Sequence, residues 1–194
     1  MMGTSKTALI INNAVDYSSD SETRIKDRQE IDLLAGLGID AQPMDLLDYR
    51  DNPDDLRRIL SSVGLIWARG GNTFLLRRAM RYSGFDKLLP ELLQSDSVVY
   101  GGYSAGVCVL APSLRGLELC DEPYQIPKGY EPEVIWEGLN VIDYAIAPHY
   151  KSDHPESQSI DKVVDYFENH NVKYKALHDG EVIVINGDRT EILS

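Results

Sequence analysis

Gly102-Tyr103-Ser104-Ala105-Gly106 sets a serine two residues from a glycine on either side. An apolar run, "SVVY", comes just before this stretch, and a second, "VCVLAP", just after it. Gly-x-Ser-x-Gly between a strand and a helix is the sequence form of a sharp turn that exposes a hydroxyl. The chemistry on offer is nucleophilic attack by Ser104 on a carbonyl. The next amide, that of Ala105, would open a helix, where a free N–H and the helix dipole both favour a developing oxyanion. A second glycine turn, "RGGNTF" at 69–74, comes after another apolar run. Its Gly71 amide is the candidate second oxyanion donor. Asn72 reads most simply as the cap of the next helix, and it is also a candidate substrate-binding residue.

A serine nucleophile needs a base. The histidines are His149, His154, His170 and His178. His149 follows Pro148 at the end of a strand-like run, where a general base would be placed. His154 begins a helix, His170 reads as solvated and His178 as structural. "HYKSDH" offers His149, Asp153 and His154 to a metal, but the spacing is not that of a helical zinc motif. No metal or organic cofactor is expected. The third member of the set would be a carboxylate that orients His149. Among the acids between Ser104 and His149, Glu118 stands between Leu117 and Leu119 in "LELC". An acid in an apolar context needs a partner, so Glu118 is the expected triad acid and Asp121 the alternative. Cys108, one turn after Ser104 in an apolar helix, reads as a buried inert thiol.

These residues must be held by a scaffold, and the chain alternates strand-like and helix-like segments. Strands are expected at 7–12, 39–46, 63–68, the run before Gly101, and 141–150. "VKYKALHDGEVIVING" reads as two more, joined at Asp179-Gly180. Helices are expected at 21–35, with Ile25, Ile31, Leu34 and Ala35 on one face, at 52–60, after Asn72, around 85–94, and at 154–170. The alternation argues an α/β fold of three layers, with a largely parallel central sheet between helices. Ligands of such sheets bind at the carboxyl ends of strands. "GGN", "YSAG" and "PHY" all fall there.

The chain has 194 residues and a formal net charge of −12. That length suits one domain over 1–194. The acidic surface argues against nucleic acid as a partner. No apolar run is long enough to span a bilayer, and the first residues read as a core strand rather than a signal peptide. With two cysteines and no metal-type spacing, the expected location is cytoplasmic.

"GGNTFLL", "GYSAG", "AP" and "PHY", in that order, resemble the peptidase E (dipeptidase E) family, which includes the cyanophycinases. The resemblance covers nearly the whole chain and is clearest from about 63 to 150. It implies a fold similar to class I glutamine amidotransferases and peptide hydrolysis by a serine, a histidine and an acidic residue. It carries Ser104 onto the nucleophile, His149 onto the base, and Gly71 and Ala105 onto the oxyanion amides. The family uses Asp or Glu as the acid, and Glu118 lies nearest the expected distance after the serine. Two positions depart from the pattern. Arg69 stands where the family's turn has its first glycine. The segment after the base, "KSDHPESQSIDK", lacks the arginine of the aspartyl dipeptidases. Cyanophycinases, which cleave a branched aspartate–arginine polymer, are longer than this chain.

The expectation is a serine peptidase acting on small peptides, as a monomer or homodimer. The rival readings are a binding or regulatory protein that keeps the pocket without turnover, and an esterase.

Overall fold

The computed structural model of the chain describes residues 5–194. Its centre is a four-stranded, all-parallel sheet in the order β2-β1-β3-β4. The strands are β1 (Thr7–Ile11), β2 (Asp40–Met44), β3 (Leu65–Ala68) and β4 (Val99–Gly102). Their carboxyl ends lie level, with Ile11 opposite both Met44 and Ala68, and Ala68 opposite Gly102. The turns after β3 and β4 therefore meet at one rim of the sheet.

β1 reads "TALII" because it is buried on both faces, and its side chains alternate between two helical layers. Leu9 and Ile11 pack with α2 (Pro53–Leu60), α3 (Thr73–Ser83) and α4 (Phe85–Gln94). Ala8 and Ile10 face the other way, toward Leu34 of α1 (Asp20–Gly36). This is the expected three-layer α/β arrangement. Ser19 opens α1 with a capping box to Glu22, and Pro53 sits at the start of α2, where its missing N–H costs nothing.

The chain then passes through α5 (Ala105–Cys108) and a long irregular stretch to a β-α-β unit. In it β5 (Ala145–Ala147), α6 (Ser157–Asn169) and β6 (Tyr174–Ala176) bring β5 and β6 together in parallel. Ile160, Val163, Val164 and Phe167 seat α6 against Ala145 and Ala147. An antiparallel hairpin, β7 (Val182–Asn186) and β8 (Arg189–Leu193), completes the described residues.

Several elements differ from the sequence expectation. Only Ala145–Ala147 of the 141–150 run forms a strand. "LELC" is not extended: Leu117–Leu119 is a turn of 3-10 helix. The two strands around Asp179-Gly180 both form, but each pairs elsewhere, β6 with β5 and β7 with β8. On α1 the expected apolar stripe is divided: Leu34 is buried and Ile31 packs beside it, while Ile25 is 61% exposed and Ala35 lies outside. The inward face also carries Asp27, which is buried and pairs with Arg69.

Among the described residues no helix is long and apolar enough to cross a membrane.

Candidate active site

Ser104 sits between β4 and α5 with φ 49° and ψ −119°. A side chain rarely holds that conformation, and it is kept here by its surroundings. A Cβ on Gly102 would lie 2.4 Å from the Ala68 carbonyl oxygen, and one on Gly106 would lie 2.2 Å from the same oxygen. Both glycines of the Gly-x-Ser-x-Gly motif are thus required by the end of β3, against which the turn is pressed. The Tyr100 hydroxyl donates to the Gly106 carbonyl at 2.7 Å and braces the turn from the strand side.

Gly71 follows β3 with φ +139°, and a Cβ there would meet the Ala14 carbonyl oxygen at 2.5 Å. Neither its N–H nor that of Ala105 donates to another backbone group among the described residues. Arg69, which holds the turn from beneath, is buried. It donates to Asp27 at 2.9 Å, and Asp27 also accepts from Asn12 at 3.1 Å. Trp67 and Tyr103 both donate to Glu30, at 3.0 and 2.7 Å.

His149 lies two residues beyond β5, with φ +58°. Its Nδ1 stands 2.6 Å from Asp179 Oδ1. Asp179 follows β6, and its own N–H donates to Ser152 Oγ at 2.8 Å. Ser104 and His149 together line two adjoining clefts. One is polar and contains Gly70, Gly71, Glu30 and Glu156. The other, of about 520 Å³, is largely apolar.

Glu118 is not on His149. The 3-10 turn folds its carboxylate back onto the Gly116 amide, which donates to it at 2.6 Å. An acid flanked by leucines found its partner in its own turn. Asp121 is not on His149 either. It accepts from the Thr73 amide at 2.8 Å and so caps α3. Burial pushes its pKa from 3.8 up to about 6, against the lowering effect of the Thr73 hydrogen bonds. Asn72 is likewise withdrawn from substrate. Its oxygen accepts from the Phe74 and Leu75 amides, and its nitrogen donates to the Glu122 carbonyl and to Gln125, so the buried amide is fully used in holding α3 and the 121–125 loop. Cys108 is buried, and burial raises its thiol pKa well above the ordinary value, so it stays protonated.

The acid that does reach His149 lay outside the interval in which an acid was sought. One signal for it was available: Asp179 comes after a strand, at the same kind of position as Ser104 and His149.

His149, His154 and Glu156 offer ligand atoms within 4.8 Å of one another. The two imidazoles, however, are stacked at 3.7 Å with planes 7° apart. A metal lies near the plane of the ring it binds, so two parallel rings do not converge on one ion. His154 Nδ1 is also engaged, accepting from the Glu156 amide at 3.2 Å.

The sequence model of peptidase family S51 matches residues 4–193. The chain belongs to peptidase family S51. Among its curated relatives, an uncharacterized peptidase of Listeria innocua is 30% identical over 99 residues, covering 51% of this chain and 45% of its own length. A second, from Pasteurella multocida, is 25% identical, covering 66% and 59%. A Drosophila melanogaster protein named as a probable alpha-aspartyl dipeptidase is 24% identical, covering 72% and 57%. The chain thus matches about half the length of the first two relatives. Among solved structures, a candidate peptidase E of Listeria monocytogenes superposes with a TM-score of 0.76 at 22% identity, covering 100% of this chain and 87% of that one. A peptidase from an acI-B1 actinobacterium gives 0.63 at 18%, covering 97% and 80%. This S51 chain therefore has the peptidase E fold, similar to class I glutamine amidotransferases.

Proposed function

We propose that this chain is a serine peptidase of small peptides, in which Ser104, His149 and Asp179 form the catalytic set. The observation that carries the reading is the His149–Asp179 pair at 2.6 Å beside a serine held in a strained turn. Asp179, as the ionised acceptor, keeps the proton of the neutral ring on Nδ1. The Nε2 lone pair is then left for the Ser104 proton.

As Ser104 Oγ bonds to the substrate carbonyl carbon, its proton passes to His149. The carbonyl π electrons move onto oxygen, and the amides of Gly71 and Ala105 stabilise the resulting oxyanion. His149 then returns the proton to the leaving nitrogen as the carbon–nitrogen bond breaks. Water, activated by the same imidazole, cleaves the acyl-enzyme. Asp179 holds the ring and offsets the imidazolium charge in the middle of each half.

Specificity for an N-terminal aspartate finds little support here. Arg69, the first residue of the turn, lines the polar cleft but is buried, and Asp27 already pairs with it. The polar cleft is lined by Lys26 as well as by Glu30 and Glu156, and the two acids suit a substrate ammonium. A cytoplasmic location is consistent with the free thiols of Cys108 and Cys120.

A serine-directed fluorophosphonate, followed by peptide mapping, tests the reading. The adduct is expected on Ser104, with parallel loss of dipeptide hydrolysis. Hydrolysis that persists in fully labelled protein would sink it.

A further inference from the structure

We infer that the apolar cleft beside β4 is the subsite for the leaving part of the substrate, and that it takes an extended peptide whose residue after the scissile bond is bulky and apolar. This rests on the peptidase reading above.

The first observation is an open sheet edge that leads to the nucleophile. Among the described residues β4 pairs only with β3, and all four of its residues are half-buried. The Val99 amide donates to the Gly64 carbonyl at 3.0 Å, and the Tyr103 amide to the Ala68 carbonyl at 3.3 Å. By the alternation of a parallel ladder, the N–H and C=O groups of Tyr100 and Gly102 point to the other side. Among the described residues no strand pairs with them there. A peptide laid along that edge gains main-chain hydrogen bonds as an added strand does, and the edge ends at Ser104.

The cleft along this edge has the size of a small-molecule site, which commonly runs to about 300–1,000 Å³. Leu110, Ile142 and Ile146 line it from one side, and Val182 and Val184 of the hairpin from another. No lysine or arginine lines it, and its acids, Asp179 and Glu181, disfavour an acidic side chain. Tyr144, 7% exposed, also lines it, and the hydroxyl of that tyrosine is buried with no hydrogen-bond partner.

The side of the bond is set by the two clefts. Gly70 and Gly71 belong to the polar cleft, so the acyl carbonyl and the N-terminal residue lie there. Asp179 belongs to the apolar one, and His149 lies between them. Ser104 and His149 line both clefts, so with the acyl carbonyl on the Gly71 side the leaving nitrogen faces the apolar one.

The test compares kcat/KM for Ala-Leu-Leu, Ala-Ala-Ala and Ala-Asp-Asp in the wild type and in Val184→Asp. It also titrates Leu-Leu calorimetrically into Ser104→Ala. Ala-Leu-Leu is expected to exceed Ala-Ala-Ala by at least about tenfold, as extra methylenes in an apolar pocket typically allow. Ala-Asp-Asp should be poorest, and Val184→Asp should erase most of the leucine preference. Leu-Leu should bind Ser104→Ala. Val184 is 41% exposed, so the substitution tests the cleft rather than the fold. Turnover without leucine preference, and without Leu-Leu binding, overturns the inference and leaves the peptidase reading standing. Leu-Leu binding with no turnover of any peptide upholds the cleft and overturns the catalytic reading. Val184-dependent dimers that take up no Leu-Leu place a second copy on the edge, which also overturns it.

Discussion

His149 Nδ1 and Asp179 Oδ1 are 2.6 Å apart, although 30 residues separate them in the chain. The distance is the product of a crossover. β5 and β6 are parallel neighbours with Ala147 opposite Ala176, so the loops leaving the two strands emerge at the same end. His149 is two residues past β5, and Asp179 three past β6. The Tyr150 amide donates to the Leu177 carbonyl at 2.9 Å, and the Asp179 amide to Ser152 Oγ at 2.8 Å, so the two loops are tied together on either side of the pair. The imidazole is thereby held on Asp179 before any substrate arrives.

Replacing the acid should separate this pair from the other carboxylates. Asp179→Asn is expected to lower kcat by roughly 10⁴-fold, because an amide does not enforce the productive tautomer or offset the imidazolium. Glu118→Gln should keep activity, since its carboxylate only accepts from the Gly116 amide. Parallel kinetics on one good dipeptide check this, and equal losses in both variants would refute the assignment.

Ser104→Ala should lose on the order of 10⁴–10⁶ in turnover. Its far-UV and near-UV dichroism should match the wild type. The alanine relinquishes the nucleophile while keeping a Cβ where the serine already has one.

Gly106→Ala should be the harsher change to the fold. The added methyl would sit 2.2 Å from the Ala68 carbonyl oxygen, which is backbone and has no rotamer to escape by. A loss on the order of 3 kcal/mol or more is expected, near the upper end for single substitutions. Urea denaturation of the purified variant, or its recovery only in inclusion bodies, would register it.

Asp121 and Asp16 give stability a pH dependence. Burial is the main cause that pushes each carboxyl from 3.8 to about 6. A folded-state pKa above the unfolded one means the native state holds the proton more tightly. The stabilisation is complete below the unfolded value and is lost as pH rises through about 6. Asp121→Asn keeps an acceptor for the Thr73 amide but has no charge to bury. From pH 5 to pH 7 the stability difference should therefore shift in favour of the variant by about 1–1.5 kcal/mol. Urea midpoints at the two pH values measure the shift, and a constant difference would show that Asp121 is not buried as an acid.

Much was legible locally. The strands of the central sheet, the helix at α2, the apolar face of α6 and the two glycine turns all announce themselves in short stretches, because hydrogen bonding and side-chain periodicity act over a few residues. The α1 face was legible only in part, because Asp27, a charged residue that reads as solvent-facing, is buried on Arg69 from 42 residues away. Glu118 misled for a related reason. Flanking leucines say that an acid needs a partner but not which one, and its own backbone supplied it.

The chain's residue types and spacings determine the three-layer parallel fold, the elbow around Ser104, the glycine turn at Gly71 and the position of His149 at a strand end. Each depends on backbone geometry or on an apolar pattern carried by contiguous residues. Which acid meets His149 depends instead on strand order, since β5 could have neighboured another strand and brought another loop to its end. The same order leaves β4 with an open edge and places an apolar cleft beside Ser104. Pairing between distant strands is settled by the packing of whole layers, and no short stretch of the chain records it.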